Sequence, residues 1–233
     1  MGQGVSLPQP FRPACKSSTL PFVSPLLARR VIHMPPEDLV LASGSATRAS
    51  MLRAAGLEFD VVMPRVDEGA LKDALLAEGA PARDIADALA EMKAARVGPR
   101  RPEALTLGCD QVLSCDGRLF SKPATVEDAR EQLIALMERT HRLHSAAVIY
   151  RGDEPIWRHV SEARLTMGRL SEEWIAGYLA RNWESVRHSV GCYQIESEGI
   201  RLFTRIEGDH FTILGLPLLP LLSFLSARGT IPS

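Results

Sequence analysis

From Leu39 onward, short apolar runs trade places with stretches in which apolar positions recur every three or four residues. That alternation predicts strands and helices in turn. The run "LVLAS" reads as a buried strand leading into a helix over Thr47–Ala55, which stops at Gly56, a residue suited to a left-handed helix cap. A second strand, "EFDVVMP", ends at Pro64. "DEGALKDALLAEGAPARDIADALAEMKAARVG" carries two helices broken at Gly79-Ala80-Pro81, with Pro81 fitted to a first helical turn. Ile85, Leu89 and Met92 form the apolar stripe of the second helix. Lys93 lies one residue past that stripe, which by itself describes a solvated or snorkelling side chain.

The stretch "ALTLGCDQVLSCDGRLFSKP" predicts two strands joined at Asp116-Gly117, a pair that closes hairpins. Thr125 opens a helix as a capping box, continued by Ala129, Leu133, Leu136 and Met137. Strands follow at "HSAAVIY" and "IWRHVSEARLTM" around Gly152-Asp153, then a helix over Ser171–Arg181 and a strand at "GIRLFTRIEG". The apolar run Phe211–Leu225 reads as a buried strand, "FTILGLP", turning into a buried helix. It is too short for a membrane span and contains Pro217 and Pro220. The first 33 residues differ in character, with prolines at 8, 10, 13, 21 and 25 and no sustained period. They read as a disordered extension or a misplaced start ahead of one domain spanning residues 34–233, with Met34 as the alternative first residue.

Composition narrows the function classes. The chain has 233 residues, 45% hydrophobic and 24% charged, an ordinary soluble balance. A formal net charge of −1 excludes a global field that would capture a nucleic acid polymer, so any anionic ligand must be held locally. Cys15, Cys109, Cys115 and Cys192 lack zinc-site spacing and are too few for a disulfide framework, which fits a reducing cytoplasm. Cys109 and Cys115 read as small hydrophobes.

Several residues could carry chemistry. Asp110 ends an apolar strand, where a carboxylate is costly unless it meets water, a cation or a donor; a satisfied strand-end aspartate and a functional one are equally open. Asp67-Glu68 can favour a helix N-terminus, and Lys122-Pro123 says little alone. Together these acids and bases suit a polyanion with a divalent metal. Ser43-Gly44-Ser45 before a helix offers free backbone N–H groups to phosphate, although no Walker or GxGxxG pattern is present. His141 and His144, three apart on a strand, fall on opposite faces, and the histidines read as surface or core-edge residues.

Taken in order from about Leu39 to Leu225, "LVLASGSATRASMLRAAGLEFDVV", "VDE", "LAEMKA", "GCDQV", "SKP", "VGCYQIE" and "IEGDHFTILGLPL" resemble the Maf family of nucleoside triphosphate pyrophosphatases. The resemblance implies a mixed twisted α/β sheet with flanking helices and two lobes around a nucleotide cleft. It implies cleavage of a nucleoside triphosphate to the monophosphate and pyrophosphate with Mg²⁺ or Mn²⁺, in house-cleaning of non-standard nucleotides. By that resemblance Asp110 is the general base, Glu68 and Asp110 are metal ligands, and Ser43, Ser45, Arg48, Lys93 and Lys122 face phosphate. Thr47 and Ser189 depart from the pattern, each standing where a basic residue is usual. Gln111 and Glu196 resemble the 7-methyl-GTP branch, and Thr47 adjoins the same pocket. Glu196 has a physical case of its own, since a carboxylate offers only acceptors, which suit the N–H donors of a guanine edge. The partner expected is a small nucleotide, with neither nucleic acid polymer nor membrane, and with room for a homodimer. The rival reading is a nucleotide-binding regulator of cell division or septum formation without turnover; an extra carboxylate at Asp110 beside a polyphosphate counts against it.

Overall fold

The computed structural model describes residues 1–2 and 37–232. The expectation for residues 1–33 therefore lies outside the described residues, apart from Met1 and Gly2. In chain order the elements are β1 (Leu39–Ala42), α1 (Ala46–Ala54), β2 (Asp60–Val61), α2 (Glu68–Ala77), α3 (Ala82–Val97), β3 (Leu105–Cys115) and β4 (Arg118–Phe120). They continue with α4 (Val126–Leu136), β5 (Thr140–Arg151), β6 (Glu154–Met167), α5 (Glu172–Val186), β7 (Phe203–Glu207), α6 (His210–Ile213) and α7 (Leu218–Arg228). One mixed seven-stranded sheet runs β2-β1-β3-β5-β6-β7, with β4 also paired to β3. The β1 pairings are parallel, and the remaining pairings are antiparallel.

Period-two alternation sorts the long strands between two faces. Val112, Ala146, Val148 and Tyr150 meet Ile85, Leu89, Ala90 and Ala94 of α3 on one face. On the other, Leu105, Leu107 and Cys109 pack against α1 and α7. Further along that face, Leu113, Leu143 and Leu165 pack against α4 and α5. The helices on this second face thus fall into two lobes. At Gly108 the α3 backbone comes so close that an added Cβ would lie 2.2 Å from the Ala90 carbonyl oxygen.

Local signals set many ends. Thr125 and Asp128 form the capping box of α4, and Asp116 (φ 49°) with Gly117 (φ 78°) turns the β3–β4 hairpin. Three elements differ from expectation. "FTILGLP" is no strand: Asp209 accepts from Phe211 N at 3.1 Å and Thr212 N at 2.8 Å, nucleating α6, and Gly215 (φ 98°) turns the chain out of it. "EFDVVMP" contributes only a two-residue edge strand with both residues exposed. "GIRLFTRIEG" coils through a 3₁₀ turn at Glu198–Leu202 before β7 begins. No helix among the described residues is long and apolar enough to cross a membrane.

Candidate active site

Between Gly108 and Leu113, β3 has lost one neighbour and not yet gained the next. β1 stays paired as far as Ala42 with Gly108, and β4 begins at Leu113 with Phe120. Over the intervening residues only β5 is bonded to β3, so its other edge opens into a cleft of about 1010 Å³. Divergence of neighbouring strands is where α/β sheets make ligand sites. Ser43, Ser45, Thr47, Arg48, Glu68 and Lys93 line the cleft on one side. β3 contributes Asp110 and Gln111, while Lys122 and Glu196 come from the loops after β4 and before β7.

Asp110 lies in the middle of β3 rather than at a strand end, on the face of Gly108, and so meets α3 at its closest approach. Lys93 Nζ lies 2.6 Å from Asp110 Oδ1 and 3.0 Å from Glu68 Oε2. Lys93 is 6% exposed and Asp110 8%, so each charge depends on the other in place of water. The solvated reading of Lys93 is corrected here. Ile85, Leu89 and Lys93 are all buried, at spacings of four along α3, so Lys93 continues the buried stripe. Asp67 and Glu68 divide the two roles open to them: Asp67 caps α2 by accepting from Ala70 N at 3.0 Å, and Glu68 faces Lys93. Cys109, next to Asp110, is fully buried, and desolvation pushes its thiol up to about 11, so it is no nucleophile at neutral pH.

The Ser43-Gly44-Ser45 turn is built by its hydroxyls. Ser45 Oγ caps α1 by accepting from Arg48 N at 3.3 Å, and Ser43 Oγ accepts from Ser45 N at 3.2 Å. Arg48, expected to face phosphate, donates Nε to Gly215 O at 2.8 Å and Nη1 to Cys109 O at 3.1 Å. It thereby satisfies a carbonyl that β1 leaves unpaired where it ends, and ties α1 to the turn after α6. Among the described residues its Nη2 alone has no partner. The start of α1 also presents backbone N–H groups that lie outside the helix's own hydrogen-bond ladder.

Gln111 points to the opposite face from Asp110, yet both reach the cleft around the open edge. Its amide nitrogen donates to Ser145 Oγ at 3.0 Å and to the carbonyl oxygens of Thr212 and Ile213 at 3.1 and 3.0 Å. Those acceptors fix which end is nitrogen and leave Oε1 as the end without a partner among the described residues. Glu196 is exposed in a turn.

Sequence reasoning missed Lys72, Ser121 and His188, which also line the cleft. Lys72 had a readable signal, since it lies four residues after Glu68 on α2 and so on the same helical face. His141 is corrected from a surface or core-edge residue to a core one. It is fully buried on β5 with Nε2 2.7 Å from Tyr193 Oη, and its Nδ1 has no partner among the described residues. Burial holds its imidazole down at about 4.

No three His, Cys, Asp or Glu side chains gather as a metal-binding group among the described residues. The cleft holds a carboxylate pair instead, Glu68 and Asp110, both drawn to the Lys93 ammonium. Two carboxylates are the donor type that a hard divalent ion takes, so Glu68 and Asp110 are the residues that could hold one.

Residues 38–228 match the Maf family, described as Maf-like protein. A nucleoside triphosphate pyrophosphatase of Ruegeria pomeroyi is 56% identical over 193 residues, covering 83% of this chain and 97% of that protein. A 7-methyl-GTP pyrophosphatase of Mesorhizobium japonicum is 51% identical over 195 residues, covering 84% and 98%. Among solved structures, a HAM1 protein from Coxiella burnetii overlaps loosely, with a TM-score of 0.38 at 18% identity over 57% of this chain and 74% of that one.

Proposed function

The chain belongs to the Maf-like protein family, and on that premise we propose that it hydrolyses a nucleoside triphosphate to the monophosphate and pyrophosphate. The observation that carries this reading is Asp110, a carboxylate nearly sealed from water at an open sheet edge, with Oδ1 fixed 2.6 Å from Lys93 and Oδ2 without a partner among the described residues. A water molecule adds to a phosphorus of the α–β anhydride, its proton passes to Asp110 Oδ2, and the bridging P–O bond breaks to release pyrophosphate. Lys93 and Lys122 offset charge on the phosphate oxygens, and the N-terminus of α1 receives a phosphate. Glu68 and Asp110 are the residues that would hold Mg²⁺ or Mn²⁺. When bound, the ion supplies further neutralisation of the polyphosphate.

The base preference proposed is guanine, with 7-methyl-GTP the first candidate. Two features support it. Glu196 offers only acceptors, and Gln111 directs its amide nitrogen into the scaffold, which leaves its oxygen for the ligand. Paired acceptors suit the N1–H and N2–H₂ donors of guanine, and the Mesorhizobium relative bears the 7-methyl-GTP name. A cytoplasmic setting belongs to the same proposal and is supported by the free thiols of Cys109, Cys115 and Cys192. The test is a panel of 7-methyl-GTP, GTP, dTTP and UTP with Mg²⁺ or Mn²⁺, scoring pyrophosphate against orthophosphate. Pyrophosphate with highest kcat/KM on the guanine substrates is expected. Orthophosphate alone, or no turnover, overturns the reaction, and a dTTP or UTP preference overturns the base assignment.

A further inference from the structure

The cleft is lined by four cations, Arg48, Lys72, Lys93 and Lys122, against three carboxylates, Glu68, Asp110 and Glu196. Two of the cations already have work within the chain. Lys93 is held between Asp110 and Glu68, and Arg48 bonds two backbone carbonyls. A triphosphate brings about four negative charges, so its outer phosphates need cations that the scaffold has not engaged.

We propose that Lys72 is a phosphate-binding residue that grips the departing pyrophosphate together with Lys122. The proposal rests on the reading of the cleft as a triphosphate site. Lys72 stands one helical turn beyond Glu68 on α2, half-buried on the cleft wall. Its one polar contact among the described residues is a neutral hydroxyl, Ser121 Oγ at 2.6 Å. A half-buried ammonium satisfied only by a hydroxyl retains its full charge for an external anion. That contact also crosses from α2 to the loop after β4, which carries Lys122, and both lysines line the cleft. The loop is held from behind as well, where Gln132 of α4 donates to Ser121 O at 3.0 Å. The ammonium is therefore positioned in advance, with little side-chain freedom left to lose on binding.

The substitution Lys72→Gln separates charge from strut, because a glutamine amide still donates to Ser121 but carries no charge. Calorimetric binding of inorganic pyrophosphate, and its inhibition constant against nucleotide hydrolysis, are measured for wild type, Lys72→Gln, Lys72→Arg and Ser121→Ala. Lys72→Gln is expected to weaken pyrophosphate and raise KM by roughly tenfold or more, with binding of the nucleoside monophosphate little changed. Lys72→Arg should recover most of the loss, and Ser121→Ala should lose less than Lys72→Gln because it keeps the charge. Wild-type pyrophosphate affinity in Lys72→Gln overturns the proposal, as does an equal loss in Ser121→Ala and Lys72→Gln, which would make Lys72 a strut. If wild type releases no pyrophosphate from any nucleotide, the reading of the reaction fails instead, a result visible without any variant.

Discussion

Replacing Lys93 with methionine keeps the apolar stem against α3 but deletes the ammonium. Asp110, 8% exposed, then loses the one ion-pair partner it has among the described residues. Breaking a buried ion pair from one side costs roughly 3–5 kcal/mol, and the opening of Asp110 onto the cleft favours the lower end, about 3 kcal/mol. For a domain of this size that lowers Tm by about 6–12 °C. Asp110→Asn behaves differently, because Lys93 retains Glu68 at 3.0 Å. It should destabilise by no more than about 2 kcal/mol while reducing turnover about a hundredfold or more. The double variant removes both charges and should be more stable than Lys93→Met alone, with a coupling of at least about 1 kcal/mol. Urea unfolding of the four proteins, followed by tryptophan fluorescence at pH 7.5, measures the cycle. Strictly additive effects would refute the claim that this pair is coupled, and unchanged turnover in Asp110→Asn would remove it from the mechanism.

Gly108→Ala should destabilise by roughly 1–3 kcal/mol, since the new Cβ would meet the α3 backbone at 2.2 Å; an unchanged urea midpoint would mean that α3 can move away freely. The buried His141 titrates at about 4 in the fold against 6.5 in its ordinary state, so the unfolded chain takes the proton first. Its contribution is complete above pH 6.5 and falls toward pH 4, by about 2 kcal/mol at pH 5. His141→Gln should flatten the stability profile between pH 7 and 5, and parallel losses in both proteins would assign the slope elsewhere. The pair Gln111→Thr with Glu196→Gln should shift kcat/KM toward dTTP and UTP by at least about tenfold relative to 7-methyl-GTP. Identical ratios in the two proteins would place base recognition on other residues.

Elements with local causes were legible in the sequence. The helix after Ser43-Gly44-Ser45, the Asp116-Gly117 hairpin and the capped helix at Thr125 each depend on contacts within a few residues. "FTILGLP" misled because its β-branched and apolar residues resemble a strand, while a single cap, Asp209, decides for a helix. The same limit holds inside the cleft. That Asp110 and Lys93 carry charge on otherwise apolar elements was readable, and so was the ordered family resemblance that assigned them together. That they lie 2.6 Å apart was not, because the approach depends on Gly108 admitting α3 against β3.

The sequence by itself determined which residue types were available, most helix and hairpin ends, and the family to which the chain belongs. Only the tertiary structure decided their engagement. Arg48 is drawn to the carbonyls of Cys109 and Gly215, the Gln111 amide turns toward Thr212 and Ile213, and Lys72 reaches Ser121. The physical reason is that a hydrogen bond or ion pair forms between groups that packing brings within about 3 Å, and the tertiary pairs that build this cleft are separated by 17 positions for Lys93 with Asp110 and by 167 for Arg48 with Gly215.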